Sequence, residues 1–321
     1  MAHRALASAW RVAEACSSPR RYPESRRSPS LARARLPARC RSASRATAET
    51  LPSGWVEENA DAASLREHYE REGWVVVRGV ADAALVDALH AATDALEEEA
   101  KTFTRSRRHR GVFFETQSAS GRKSDDAIRA GALRKIGSPS KRGGAFQALV
   151  HSERIRDIAL KVCLSSDIEL TLRCAMDQVN TKAPFSEGSG FAWHQDASFL
   201  KPLARASFDA RGGVNVVVAM DGSDSDNGGF EVLGRTHRDG EAPKSLRDAY
   251  DGAVESVSAL QDVAKEEGKK PIFDESFRVC PALRPGDAVF FHPMLAHGSG
   301  RNASARRRRI ATLWYVAHRE G

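Results

Sequence analysis

The sequence predicts a mainly β fold with flanking α-helices, a jelly-roll barrel, on three observations. Helical periodicity dominates the first half of the 321-residue chain. From Ile168 onward, short runs of strand length follow one another. The turns between them are dense in Gly, Asp and Asn, as in Asp221-Gly-Ser-Asp-Ser-Asp-Asn-Gly-Gly229. Helices first and many short strands afterwards suit a barrel with the helices packed outside it.

Taken in order, Asp61–Glu72 and Ala81–Lys101 are predicted helices; the second repeats apolar residues at Leu85, Leu89, Ala92 and Leu96. Between them Trp74–Val80, a β-branched run bounded by Gly73 and Gly79, predicts a strand. Arg105, Arg107, Arg108 and Arg110 then crowd into a basic stretch that reads as a solvated loop rather than an anion site. Ser152–Cys163 predicts another helix. The strand series is Glu169–Thr181, Gly190–His194, Val214–Asp221, Gly229–Leu233, Asp287–His292 and Arg308–Ala317. One helical insertion interrupts it, Glu241–Glu267, whose Leu246, Ala249, Tyr250, Ala253, Val257, Leu260 and Ala264 keep helical spacing. It reads either as a lid over a site or as a cover for the barrel wall.

Charge is unevenly spread. The chain's net charge is +7, but residues 1–50 hold 11 Arg, no Lys and 3 Glu, while the remainder holds 38 basic and 39 acidic side chains. A basic head on a neutral body does not fit a nucleic-acid partner, which calls for positive charge on the folded domain. No apolar run approaches the roughly 18 residues that cross a bilayer. Five Cys, odd in number and without CxxC spacing, argue against a disulfide framework and a zinc cluster, and fit a reducing compartment. Residues 1–48 are rich in Ala, Arg and Ser and poor in acid. On a helical wheel Arg4 and Arg11 lie opposite Leu6, Trp10 and Ala13, the pattern of an organelle transit peptide, with the mitochondrion ahead of the plastid. The alternatives are a basic tail and a cytoplasmic protein. Residues 49–321 are expected to form one domain.

The chemistry-bearing residues come next. Phe191-Ala-Trp-His-Gln-Asp-Ala197 sets His194 and Asp196 two apart on a predicted strand, where side chains alternate with period two and both point to one face. An imidazole and a carboxylate presented together are two thirds of a facial metal triad. Alone, such a pair is a weak signal and is common as a structural contact. The stretch Gly286–Asn302 offers His292 and His297 as a third ligand. Further on, Arg308 opens a strand whose inward register is Arg308, Ile310, Thr312 and Trp314, with Arg307 and Arg309 outward. A buried guanidinium without a partner is very costly, so an inward Arg implies an anion. Its planar fork matches a carboxylate.

The ordered set His194-Gln-Asp196, Asn227-Gly228 with Thr236-His237-Arg238, Gly286-Asp287, and His297-Gly-Ser-Gly-Arg-Asn302 followed by Arg308 resembles the phytanoyl-CoA dioxygenase family over roughly Trp74 to Ala317. The resemblance implies a double-stranded β-helix, the cupin-like jelly roll, and an iron(II)- and 2-oxoglutarate-dependent dioxygenase. It implies that His194, Asp196 and His297 are the catalytic iron ligands, and that Arg308 and Ser299 bind the distal carboxylate of 2-oxoglutarate. Gln178 and Lys135 match positions that line the co-substrate site. The implied reaction uses dioxygen to hydroxylate a C–H bond of a small organic or acyl substrate, releasing succinate and CO2. A peptidyl hydroxylase of the same chemistry and a non-enzymatic metal-binding jelly roll compete with this reading. The second has no reason to keep Arg308 beside a full triad. A halogenase of this kind would carry Ala or Gly in place of Asp196.

Two departures stand out. Gly234-Arg-Thr-His237 replaces the usual Pro-Gly-Ser-His, and Val217 falls near a position where many members place an aromatic or polar side chain. Of the remaining residues, His292 reads as a strand-end packing residue, and Phe191 and Trp193 as core. The sequon Asn302-Ala-Ser304 lies within the predicted site and is discounted.

Overall fold

The computed structural model describes residues 55–56, 62–116, 133–164, 170–186, 190–199, 212–238 and 275–319. The predicted leader and the predicted insertion Glu241–Glu267 lie outside the described residues.

The described strands form two sheets. The larger runs in the order β1 (Trp55–Val56), β2 (Trp74–Val77), β11 (Ala288–Phe291), β8 (Gly213–Ala219), β13 (Arg308–Arg319), β6 (Leu170–Lys182), β5 (Leu133–Gly137), β4 (Val112–Thr116) and β3 (Arg107–His109). Its pairings are antiparallel except that of β1 with β2. The smaller sheet has the order β10 (Arg278–Val279), β9 (Glu231–Leu233), β12 (Ala296–Ser299) and β7 (Phe191–His194). From β6 to β9, and again from β11 to β13, successive strands alternate between the sheets. That alternation is the double-stranded β-helix.

Strand β8, Gly-Val-Asn-Val-Val-Val-Ala, shows why the barrel has two cores. It lies between β11 and β13 and is buried on both faces, as a Val-rich strand without apolar–polar alternation requires. Val214, Val216 and Val218 join the core beneath the helices. Val217 and Ala219 join a second cluster with Phe230, Val232, Phe291 and Ile310 inside the barrel. Asn215 shares that inner side by alternation.

Helices α1 (Ala62–Glu72) and α2 (Ala83–Ala100) cover the outer face. Asp82 caps α2 by accepting from the Leu85 amide at 2.8 Å. Leu89 on its inner stripe is fully buried, and truncating such a residue to Ala costs about 2–5 kcal/mol. Two short helices follow, α3 (Gly144–Val150) and α4 (Glu153–Ile158), the latter capped by Ser152 and continued as a π turn through Cys163.

Two predictions need correction. The basic stretch after α2 is not a loop throughout: Arg107–His109 is an edge strand paired with β4, and Arg110 and Gly111 turn the hairpin at positive φ. Edge strands commonly carry charge, which hides them from hydrophobic patterning. The second is an omission: the predicted strand series passes over Ala296–Ser299, which is a strand and bears on the site.

Candidate metal centre

His194 ends β7. Gln195 turns its buried side chain away and donates to the Met294 carbonyl at 2.6 Å. Asp196 opens a 3-10 turn, so the strand stops two residues short of the position that simple alternation gives Asp196. Both side chains nevertheless line one cavity. His297 lies on β12 and pairs directly with His194 across the sheet. The small residues around it mark a crowded strand pair rather than a loop. A Cβ on Gly298 would meet the Phe191 carbonyl at 3.1 Å and the Trp193 ring at 3.3 Å. A register shift between His297 and Ser299 lets both Phe191 and His194 face the cavity. Phe191 is therefore a wall residue, against the expectation of a core role; the Arg134 guanidinium sits 3.9 Å over its ring. Trp193 is buried, as expected.

One ligand atom from each of His194, Asp196 and His297 lies within 4.8 Å of the other two. Asp196 Oδ1 is 3.3 Å from His194 Nε2, and Oδ2 is 3.7 Å from His297 Nε2. His297 Nδ1 lies 3.0 Å from the Leu295 carbonyl. A carbonyl only accepts, so Nδ1 carries the proton and Nε2 presents its lone pair. Burial, with His194 adding, pushes the His297 pKa down to about 4, and Asp196 offsets this only in part. The imidazole is thus neutral near pH 7. Burial alone would raise the Asp196 pKa, but the two imidazoles and the Asn215 amide outweigh it and hold it below the usual value. Two imidazoles and one carboxylate on a single side suit a divalent first-row ion with open positions opposite.

The same cavity has a cationic end. Arg308 is fully buried, and its Nη2 donates to the Gly228 carbonyl at 2.8 Å. Among the described residues its Nε and Nη1 have no partner. Burial pushes its pKa down to about 9. Two orphaned guanidinium nitrogens in a cavity fit a carboxylate ligand. The predicted inward register holds for Arg308, Ile310 and Thr312, which line the cavity, but not for Trp314, which lies at a register shift and is not among the lining residues. Ser299 lines it too, and its Oγ accepts from Lys182 Nζ at 2.8 Å. Lys182, the last residue of β6, pairs in register with Arg308. It was not anticipated, because the expected strand ended at Thr181.

Gly228 explains the Asn-Gly turn. Its φ is +70°, and a Cβ would come within 2.6 Å of the Gly300 carbonyl. Only glycine lets this backbone pass so that its carbonyl caps both cations. Gln178 and Lys135 line the cavity as the resemblance implies, but Lys135 already pairs with Glu115 at 2.8 Å. His292 stands apart from the triad: it accepts from the Met294 amide at 3.1 Å and packs on His237. The other shared motifs are structural. Asp287 accepts from the amides of Gly79 and Arg284, and Arg238 donates to the Glu70 carbonyl at the end of α1. Asn302 is fully buried, with its amide bonded to the carbonyls of Ala183 and Arg306, which leaves no room for a glycan.

A profile of the family described as phytanoyl-CoA dioxygenase (PhyH) matches residues 69–310, a span holding the triad and Arg308. The chain belongs to the phytanoyl-CoA dioxygenase family. This is a family of iron(II)- and 2-oxoglutarate-dependent dioxygenases. Among its relatives, an L-proline trans-4-hydroxylase from Streptomyces griseoviridis is 28% identical over 133 residues, 40% of this chain and 49% of that protein. The peroxisomal phytanoyl-CoA dioxygenase of Bos taurus is 36% identical over 86 residues, 27% of this chain and 23% of its own length. The match thus spans half or less of these curated relatives. In structure, the chain is similar to the epimerase SnoN from nogalamycin biosynthesis, solved with Fe3+, alpha ketoglutarate and nogalamycin RO. The TM-score is 0.52 at 20% identity, covering 81% of this chain and 86% of SnoN. At that identity the likeness shows a shared fold.

Proposed function

We propose that the protein is an iron(II)- and 2-oxoglutarate-dependent dioxygenase that hydroxylates a C–H bond of a small organic or acyl substrate. In this reading His194, Asp196 and His297 hold iron(II), Arg308 and Ser299 take the distal carboxylate of 2-oxoglutarate, and Gln178 and Lys135 line the remaining wall. The observation that carries it is the pairing, in one cavity, of a triad with an open side and a buried Arg308, two of whose nitrogens have no partner among the described residues. A structural His-Asp contact would not need the second feature.

With both groups bound, iron(II) and 2-oxoglutarate supply dioxygen activation: one oxygen atom ends in succinate alongside CO2, and the other in the hydroxylated product. The chain's own part is orientation and exclusion. Leu295 fixes the His297 ring through its carbonyl, and Asn215 fixes the Asp196 carboxylate. Phe230, Phe291, Val217 and Ile310 form an apolar wall that keeps water from the reacting centre. The phytanoyl-CoA dioxygenase resemblance and the proline hydroxylase relative support hydroxylation; the epimerase shows that the fold also carries other outcomes.

The test is anaerobic titration of the full chain with iron(II) and then 2-oxoglutarate, followed by admission of oxygen. One iron, iron-dependent binding of one 2-oxoglutarate, and succinate formation on oxygen exposure are expected. Binding without succinate, or no iron-dependent binding, overturns the reading.

A further inference from the structure

Lys182 is a fully buried cation that lies beside Arg308, and among the described residues neither is ion-paired with a carboxylate. Glu231 acts on Lys182 at longer range but is itself paired with Arg278 at 2.6 Å. Lys182 Nζ meets three acceptors: the Gly228 carbonyl at 2.9 Å, Ser299 Oγ at 2.8 Å and the Gly300 carbonyl. Three acceptors use all three donors of an ammonium group. Lys182 does not itself line the cavity, whereas Ser299 and Arg308 do.

The consequence falls on Ser299. Its hydroxyl has one proton to give and lone pairs to receive. An ammonium can only donate, so Lys182 occupies a lone pair of Oγ, and the serine proton must point elsewhere. No acceptor for that proton is found among the described residues, and Oγ borders the cavity. Lys182 and Arg308 also share the Gly228 carbonyl, which holds the guanidinium by Nη2; Nε and Nη1 have no partner among the described residues. We infer that Lys182 is a positioning residue for the co-substrate: it turns the Ser299 hydroxyl into a donor and backs Arg308 with a second cation, so that the subsite selects 2-oxo acids that end in a carboxylate. Burial, reinforced by Arg308, presses the Lys182 pKa well down from its ordinary value, and an arriving carboxylate relieves that pressure. A neutral amine has only two N–H donors, so the three acceptors around Nζ call for the ammonium form.

The inference rests on the proposed co-substrate, and the test separates the two. Calorimetry under anaerobic conditions, on the iron(II)-loaded full chain, compares 2-oxoglutarate with 2-oxopentanoate, which lacks the distal carboxylate. Lys182→Met is expected to bind 2-oxoglutarate at least tenfold more weakly, with iron binding intact and the weaker 2-oxopentanoate affinity changed less than twofold. In a Ser299→Ala background the same substitution is expected to cost only about three- to fivefold, the share that acts through the charge alone. Should Lys182→Met fail to fold, Lys182→Gln, which keeps a donor but not the charge, is expected to lose at least threefold for 2-oxoglutarate alone. Parent-like affinity for 2-oxoglutarate, equal losses for both acids, or a full tenfold loss in the Ser299→Ala background overturns the inference. If the parent itself binds no 2-oxoglutarate, the proposed function falls, and the failure appears in the parent, not the variant.

Discussion

Asn215 donates its side-chain amide to Asp196 Oδ2, the same oxygen that lies 3.7 Å from His297 Nε2. The other carboxylate oxygen faces His194. One hydrogen bond therefore fixes the plane of the carboxylate before any ion arrives. Asn215 can do this because β8 places it on the barrel's inner side, level with Phe291 of β11.

Replacing Asn215 with Leu should weaken iron binding. Partners that orient metal ligands change metal affinity by roughly 10–100-fold. The position is fully buried, so an apolar side chain of similar size keeps the strand packed. Anaerobic competition with a chelator reads the effect. An affinity equal to the parent's would reduce Asn215 to a packing residue.

The ligand set makes a sharper claim. His194→Ala and His297→Ala should each lose iron, and Asp196→Ala should abolish succinate formation. His292→Ala should retain iron, because His292 is not part of the His194–Asp196–His297 cluster and accepts from the Met294 amide. Metal content of the purified variants decides. Loss of iron in His292→Ala with retention in His297→Ala would reverse the assignment.

Three consecutive arginines should behave differently. Arg308→Ala should weaken 2-oxoglutarate binding at least tenfold, since a hydrogen bond to a charged group is worth about 1.5–3 kcal/mol. Arg307, half-exposed and paired with Glu97, should matter little. Sequence reasoning gives Arg309 the same outward and dispensable role, but the structure buries it between Asp94 at 2.6 Å and Asp221 at 2.9 Å. Arg309→Ala should lower thermal stability, on the order of 1.5–3 kcal/mol, without touching 2-oxoglutarate affinity. Calorimetry and thermal melts on the same three variants separate these outcomes.

How much of this was legible beforehand depended on where the information resides. His194, Asp196, His297 and Arg308 stood out in sequence through an ordered set of motifs that resembles a known family; spacing by itself left His292 and His297 both open as the third ligand. Lys182 did not stand out, because lysine is ordinarily a surface residue and two of its partners are backbone carbonyls, which leave no trace in sequence. Asn215 left a trace that went unused: it is the single polar residue in an otherwise apolar buried strand. Strand β12 was hidden because Gly298 has no β propensity; it is small to admit Trp193, a reason visible only in three dimensions.

The last prediction concerns acid. An unfolded chain takes a proton on His297 near the ordinary value of 6.5, whereas burial and His194 hold the native residue neutral down to about 4. Above 6.5 both states are neutral and the residue contributes nothing to pH dependence. Between 6.5 and about 4 the unfolded state binds the extra proton, so the metal-free protein loses stability as pH falls through this window. The loss amounts to on the order of 3 kcal/mol at the acid end. Asp196, whose carboxyl lies below its usual value, pushes the same way, since its stabilisation disappears as it is protonated. Replacing His297 with Gln removes the imidazole term and leaves the rest. Melting temperatures of the metal-free parent should therefore fall more steeply between pH 6.5 and 4.5 than those of His297→Gln. Parallel slopes in the two proteins would mean that His297 is not held neutral by its surroundings, and that its readiness to bind a metal at neutral pH has another origin.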